Sequence, residues 1–279
     1  MNRAQRRVAA ASSTDPRAAT VAALFGRARA AHSAGRFEEA EALYREILDA
    51  DPRHADSWHL LGILACQTGR DEIAEQWIGK AIALNPREPA YHGNLGNAYR
   101  NGGKLDAAIA SQRRALALRP DFADAHSNLG NALRDNGELD AAIASYRRAT
   151  AIEPRHLDAH INLSHALRRQ GKLDEAITTA RRATAIQPAS FLARSHLDAA
   201  LADRGLSDEL LASRRETALR HPDSASAQFN LGNTAHNRGL LDEAIEAYGR
   251  AVALDPKVFR AQNNLGVVRM AKGQRAAAI

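Results

Sequence analysis

The sequence predicts an all-α fold in which paired antiparallel helices stack one after another. Three observations lead to this prediction: a regular period of 34 residues, apolar residues at helical spacing within each period, and glycine or proline at the expected helix ends. Prolines recur at this period from Pro52 to Pro256, and glycines recur from Gly35 to Gly273. A period without insertions leaves no room for a different fold between the units.

Composition and charge exclude several classes of protein. Hydrophobic residues make up 45% of the 279 residues, aromatic residues make up 5%, and no apolar run is long enough to span a membrane. The apolar run after Arg3, Arg6 and Arg7 is too short for a signal peptide, and the single cysteine, Cys66, allows no intrachain disulfide. We therefore expect a cytoplasmic protein without a membrane segment, a metal or a cofactor.

The period divides the chain into three parts. Residues 1–20 form a basic tail that we expect to be disordered, residues 21–258 form seven complete units, and residues 259–279 form a truncated eighth unit. The eighth unit is expected to begin a second helix at Ala276 and to end within one turn. We therefore expect either that the natural chain continues past Ile279 or that a homodimer covers this end, because stacked repeats need caps.

Each unit is predicted to contain two helices, numbered here by position from 1 to 34. Small or apolar residues at positions 4, 7, 8 and 11 form one face of the first helix, as in Trp58, Leu61, Gly62 and Ala65. Glycine at position 15 fits a left-handed turn that ends this helix. An acidic residue at position 18 favours the start of the second helix through capping and the helix dipole, and proline at position 32 ends it.

The sixth unit departs from this pattern at two packing positions. It has Asp198 where most other units have glycine at position 8, and Leu210 where they have alanine at position 20. The sequence therefore predicts looser packing in this unit.

The pattern resembles the tetratricopeptide repeat, a helix–turn–helix unit of 34 residues, over residues 21–279. This resemblance implies a right-handed superhelical solenoid. It also implies that first helices line a concave groove, with positions 2, 5, 6, 9, 12 and 13 facing it.

Asparagines recur at two of the groove positions. They occupy position 6 in five units and position 9 in three: Asn94, Asn128, Asn162, Asn230, Asn264, Asn97, Asn131 and Asn233. A carboxamide can pair with both the N–H and the C=O of a peptide unit, so this asparagine ladder is a candidate site for extended polypeptide. The alternative explanation is that duplication of similar units copied the asparagines without a binding role.

The ladder also resembles the repeat region of the O-linked N-acetylglucosamine transferase family, whose concave asparagines hold protein substrates by their backbone. Gly26, Leu60 and His196 depart from that pattern at position 6. The resemblance implies an alternative function as the substrate-recruiting part of a protein-modifying enzyme, with a glycosyltransferase or, less favoured, a sulfotransferase or methyltransferase domain beyond residue 279. Since residues 1–279 contain no phosphate-binding loop or GxSxG pattern, we expect this chain itself not to be an enzyme.

Arginines suggest further partners. Arg100, Arg134 and Arg168 at position 12 face the predicted groove and could steer acidic peptides towards it. Pairs on the second helices, such as Arg113–Arg114, are interpreted as a solvated face that neutralises acids such as Asp106, with nucleic-acid binding the less favoured reading. Binding of chaperone tails is disfavoured because position 5 never holds lysine.

Histidines are interpreted as structural. His92, His126 and His160 recur at position 4 and predict a packing column. His156 and His160 have the spacing of a metal pair on a helix, but His156 is expected to precede the helix, so no metal site is predicted.

Overall fold

The computed structural model describes residues 16–277, with side chains from residue 17 to residue 273. This part of the chain is all-α, with no strand. The helices are α1 (Pro16–Ser33), α2 (Phe37–Ala50), α3 (Ala55–Gln67), α4 (Asp71–Leu84), α5 (Pro89–Asn101), α6 (Leu105–Leu118), α7 (Ala123–Asp135), α8 (Leu139–Ile152), α9 (Leu157–Arg169), α10 (Leu173–Ile186), α11 (Phe191–Arg204), α12 (Ser207–Arg220), α13 (Ala225–Asn237), α14 (Leu241–Leu254) and α15 (Phe259–Ala277).

The described helices form two compact units, which divide between Ile152 and Glu153. The core of each unit combines alanines on the close-packed helix faces with a few large side chains. Tyr44, Ile47 and Leu61 are fully or almost fully buried in the first unit, and Tyr248 and Val268 are fully buried in the second. Small residues let the helices approach closely, so few aromatic residues are needed to fill the core.

The helix boundaries follow the 34-residue period. The second helix of each complete repeat covers positions 17 to 30, and from the second repeat onward the first helix begins at position 1. The glycine at position 15 has a positive φ in all seven complete repeats, and φ reaches 85° at Gly137. The left-handed turn predicted from glycine is therefore confirmed.

The acidic residue at position 18 acts differently from what the sequence suggested. No side-chain cap bond forms at the residue that precedes α2, α4, α6, α10, α12 or α14. The acids lie inside the first turn, so they favour the second helix through the dipole and not by capping.

Side chains at position 34 cap several of the first helices instead. Nδ1 of His54 accepts from the backbone N–H of Ser57 at 3.2 Å, and Nδ1 of His156 accepts from the backbone N–H of Ala159 at 3.3 Å. Ser190 and Ser224 make the same kind of bond. His156 thus precedes its helix as expected and holds the helix N-terminus.

In six repeats, position 4 carries a donor that ties the first helix to the loop before it. The Nε2 atoms of His92, His126 and His160 lie 2.9–3.1 Å from the carbonyl oxygens of Pro86, Pro120 and Pro154. Donors of other chemical types reach the equivalent proline carbonyl in three further repeats: Trp58, Arg194 and Gln262. The three histidines therefore have a structural role, as expected, because each holds its helix against the preceding loop.

The two helices of a repeat approach most closely at position 8. A Cβ atom built on Gly62, Gly96, Gly130 or Gly232 would lie 2.3–2.6 Å from the side chain at position 24. Those position-24 side chains are Ile78, Gln112, Tyr146 and Tyr248, all buried. Glycine at position 8 therefore makes room for a large residue at position 24.

Both ends of the array differ from the sequence prediction. Helix α1 begins at Pro16, so residues 16–20 are helical and not disordered; residues 1–15 lie outside the described part of the chain. Helix α15 continues through Gly273 to Ala277, so no second helix begins at Ala276. Glycine inside a helix costs only about 1 kcal/mol, which does not end a helix when no second helix packs back on the first.

The close approach at position 8 predicts opposite effects for two glycine substitutions. Gly130→Ala should lower stability by about 1–3 kcal/mol because the new methyl group would clash with the Tyr146 ring. The control, Gly249→Ala, meets no atom within 4 Å and should be neutral or stabilising by up to about 1 kcal/mol. Urea denaturation followed by circular dichroism measures both, and equal effects would show that position 8 does not control packing.

Candidate functional site

The predicted groove residues lie on first helices of both units. The eight ladder asparagines are half-buried on α5, α7, α9, α13 and α15, so each side chain combines a solvent-facing part with a part that packs. What distinguishes them is the number of hydrogen bonds they already make within the protein.

The position-9 asparagines are bonded to the second helix of their own repeat. Gln112 Nε2 donates to Asn97 Oδ1 at 3.1 Å. The Tyr146 hydroxyl donates to Asn131 Oδ1 at 2.8 Å, and the Tyr248 hydroxyl donates to Asn233 Oδ1 at 2.7 Å. Asn131 and Asn233 thus satisfy the hydroxyl of the buried tyrosine at position 24. Asn97 accepts one bond from Gln112, whose Oε1 has no partner within the described residues. The sequence prediction missed this role of the position-9 asparagines.

Several position-6 asparagines bond to the preceding repeat. Asn94 Nδ2 donates to His59 Nε2 at 2.8 Å, and Asn264 Nδ2 donates to Asn233 Oδ1 at 3.1 Å. Burial lowers the pKa of His59 to about 4, so its ring is neutral near pH 7 and can accept this bond. Asn162 also has a partner within the protein.

Asn128 and Asn230 are the exceptions. Their side chains make no hydrogen bond to any residue in the described part of the chain, and both are half-buried. Asn128 lies on α7 in the first unit, and Asn230 lies on α13 in the second unit. Each carboxamide keeps both its donors and its acceptor available, so these two are the residues of the predicted ladder best able to bind another molecule.

The groove arginines are paired with acids of the first helix of the next repeat or of their own helix. Arg100 Nη1 lies 3.5 Å from Asp135 Oδ2, Arg134 Nη2 lies 2.9 Å from Asp135 Oδ1, and Arg168 Nη1 lies 2.9 Å from Asp203 Oδ2. All three arginines are partly exposed, so the pairs contribute little to stability. They do offset the positive charge that the sequence suggested would attract acidic peptides.

Histidines replace the asparagines where the fifth and sixth repeats meet. His165 occupies position 9 and His196 occupies position 6, and their ring centroids lie 5.5 Å apart. Burial lowers the pKa of His196, and the neighbouring charges of His165 and Arg168 lower it further. The departure at His196 therefore replaces an amide with a neutral aromatic ring.

A concavity lined by both apolar and polar side chains lies at the N-terminal end of the first unit. It encloses about 530 Å³ and is open to solvent. Leu60 lines it at position 6, where later repeats have asparagine, together with Phe37 and Tyr44. The asparagine pattern therefore does not extend to the first two repeats.

Two arginines on the second helices pair with acids of the next repeat. Arg181 pairs with Glu209, and Arg215 Nη2 lies 2.7 Å from Glu243 Oε2. In both cases the partner is a glutamate at position 19 of the next repeat and not the aspartate at position 18. These pairs link neighbouring second helices.

Between residues 16 and 277, no helix combines the length and apolar character needed to cross a bilayer. Over the same range, no cluster of three or more His, Cys, Asp or Glu side chains could hold a metal ion.

Family models identify repeats along much of the chain. A model described as TPR repeat matches residues 96–137 and 235–273, one described as Tetratricopeptide repeat matches residues 2–55 and 127–191, and another with the same description matches residues 31–97. The stretch between residues 191 and 235 that none of these matches contains most of α11 and all of α12, the helices of the atypical sixth repeat. No curated protein matches the sequence.

Solved structures share the fold. MamA is 27% identical, with a TM-score of 0.51 over 58% of this chain and 94% of its own. YrrB, described as a TPR protein with an unusual peptide-binding site, is 23% identical, with a TM-score of 0.55 over 67% of this chain and 96% of its own. A chain of the APC/C hetero-tetramer Cut9–Hcn1 is 15% identical, with a TM-score of 0.62 over 86% of this chain and 48% of its own.

The two kinds of asparagine predict different stability effects. Asn131→Ala should destabilise the protein by about 1–3 kcal/mol more than Asn128→Ala, because only the first change removes the acceptor of a buried tyrosine. Both changes gain the same helix propensity, so each is the control for the other. Urea denaturation measures the difference; if the two variants unfold at the same urea concentration, the division into engaged and available carboxamides is wrong.

Proposed function

The chain carries tetratricopeptide repeats and has their all-α fold, and we propose that it is a protein-interaction scaffold that binds extended polypeptide through groove asparagines. The observation that carries this proposal is the pair of half-buried carboxamides, Asn128 and Asn230, without hydrogen-bond partners in the described protein. A half-buried polar group without a partner gains most when a ligand supplies one.

The chemistry of these side chains points to the polypeptide main chain as the ligand. A carboxamide donates and accepts at once, which matches the N–H and C=O of one peptide unit. Such pairing works best with an extended segment, whose backbone groups are not already bonded within a helix. It is also largely independent of the side chains of the ligand, which favours broad binding.

The small net free energy of each hydrogen bond limits the affinity of this interaction. Each hydrogen bond contributes about 1 kcal/mol net, while a millimolar affinity already needs about 4 kcal/mol. Two available carboxamides alone therefore give weak binding, and longer polypeptides that engage more of the surface should bind more tightly.

Similar proteins are consistent with a binding role but do not carry the proposal. YrrB is described as having a peptide-binding site and Cut9–Hcn1 as a hetero-tetramer. At 23% and 15% identity these likenesses establish the fold, so the proposal rests on the asparagines of this chain. Two alternatives remain hypotheses that rest on the sequence alone: that the chain recruits substrates for a protein-modifying enzyme, and that it forms a homodimer.

We predict that removal of the two available carboxamides weakens binding without unfolding the protein. The double variant Asn128→Ala/Asn230→Ala should bind fluorescein-labelled, reduced and carboxamidomethylated α-lactalbumin, an unfolded polypeptide, at least about 30-fold more weakly. This corresponds to a net loss of about 1 kcal/mol for each carboxamide, the contribution of one hydrogen bond, and a second bond per carboxamide would increase it. Fluorescence anisotropy measures the affinity, and circular dichroism checks that helicity is unchanged.

Gln76→Ala is the control for this experiment because Gln76 is exposed on α4, a second helix. It should bind as the unchanged protein does. If the double variant also retains full affinity, the groove asparagines do not hold the polypeptide.

We also predict a weak dependence of binding on salt, because Arg100, Arg134 and Arg168 are already paired with aspartates. Between about 50 and 200 mM salt, the affinity for the same polypeptide should fall by less than about threefold, whereas a protein making six or more phosphate contacts would lose about a thousandfold or more. Anisotropy titrations at several salt concentrations measure this. A loss of tenfold or more would show that free charges drive binding.

A further inference from the structure

A cavity of about 160 Å³ lies between α11, α12 and α13 in the second unit. It belongs to the sixth repeat, whose sequence departs from the pattern at Asp198. Ser195 and Ala199 line it at positions 5 and 9, and Asn230 lines it from position 6 of the next repeat. The cavity therefore adjoins one of the two carboxamides that have no partner.

The cavity lies in a repeat that lacks the hydrogen bond found between positions 24 and 9 in the third, fourth and seventh repeats. In the fourth and seventh repeats a tyrosine at position 24 donates to an asparagine at position 9. In the sixth repeat position 9 is Ala199 and position 24 is Arg214, so this pair cannot form. Arg214 Nη1 donates instead to the carbonyl oxygen of Asn230 at 3.0 Å.

The charges at the cavity cancel. Asp198 is 8% exposed and its Oδ2 lies 3.4 Å from Arg214 Nε, while its Oδ1 accepts from the Ser213 hydroxyl at 2.5 Å. Burial raises the pKa of Asp198, and the hydrogen bond from Ser213 and the charge of Arg214 oppose that rise. Since one negative and one positive side chain line the same small space, neither an anionic nor a cationic ligand gains a net attraction.

Besides Arg214, whose buried Nε makes no hydrogen bond within the described residues, two neutral and bifunctional polar groups line the cavity. The side chains of Asn230 and Ser195 make no hydrogen bond within the described residues, and each can both donate and accept. Phe191 and Ala227 supply apolar wall beside them. A matching ligand group is therefore neutral, donates and accepts, and carries a short aliphatic part.

The volume of the cavity is sufficient for a neutral group of this kind. An apolar cavity of about 150 Å³ accommodates benzene, so 160 Å³ is sufficient for a carboxamide with two or three carbon atoms. The same volume can also hold several water molecules, which is the competing occupant to be tested.

We propose that this cavity binds a carboxamide group of the polypeptide held in the groove. The amide is either the primary amide of a glutamine or asparagine side chain or the secondary amide of a main-chain peptide unit. That the amide belongs to a polypeptide in the groove rests on the proposed function. The affinity of the cavity for amides is independent of that function. The cavity would thus give an otherwise sequence-tolerant groove a local chemical preference.

The test is a titration of the ¹⁵N-labelled full chain followed by NMR of side-chain amides. Propionamide should produce saturable shifts of the Asn230 side-chain resonances, assigned by their loss in Asn230→Ala. Propionate and propylammonium, which have similar size but carry a charge, should bind at least about fivefold more weakly, the effect of about one hydrogen bond. N-methylacetamide, a secondary amide, distinguishes the sources: tighter binding than propionamide identifies a main-chain unit, and weaker binding identifies a side chain.

Ala199→Asn provides the variant that closes the cavity, because it restores the asparagine found at position 9 of other repeats. It should weaken propionamide binding at least about fivefold. Ala202→Asn is the matched control, since Ala202 is exposed on the same helix and does not line the cavity, and it should leave binding unchanged.

Two results would overturn the proposal. Equal shifts from all the probes, or shifts that rise linearly without saturation, would mean that the cavity holds water only. Unchanged propionamide binding in Ala199→Asn would place the amide site elsewhere. Neither result involves the unfolded polypeptide, so failure here is distinguishable from failure of groove binding.

Discussion

The close approach of the two helices within a repeat, set by the pair at positions 8 and 24, is the constraint on which the rest of the structure depends. Where position 8 is glycine, a large side chain at position 24 packs against the first helix, as Tyr146 does against Gly130. The polar end of that side chain then needs a partner, which the asparagine at position 9 supplies. Where position 8 is Asp198, this arrangement is lost and a cavity lies in its place.

The packing at positions 8 and 24 divides the asparagines into those that are bonded within the protein and those that are available for binding. Those at position 9 belong to the internal packing of a repeat, because each accepts a bond from the second helix. Some at position 6 are also used within the protein, and the remaining carboxamides of Asn128 and Asn230 are available for binding. One recurring residue type thus serves both the fold and the proposed binding surface.

The fold could be predicted from the sequence because its signals are local. Glycine at position 15 and proline at position 32 mark helix ends within a few residues, so the helix boundaries of the complete repeats follow from the period. The use of each polar side chain could not be predicted in the same way. The bond between Tyr146 and Asn131 joins the separate helices α8 and α7, and the pairing of Arg100 with Asp135 joins residues 35 apart. Such pairs depend on how helices lie against each other, which a single sequence does not specify.

We propose that Asn128 and Asn230 hold the main chain of another polypeptide while Asn131 and Asn233 stay bonded to their tyrosines. A crystal structure of the chain with a bound unfolded polypeptide tests this most directly. The account predicts that the carboxamides of Asn128 and Asn230 bond to main-chain N–H and C=O groups of the ligand and that Tyr146 and Tyr248 still donate to Asn131 and Asn233. A ligand that lies on the second helices, or that leaves both carboxamides without contact, would contradict it.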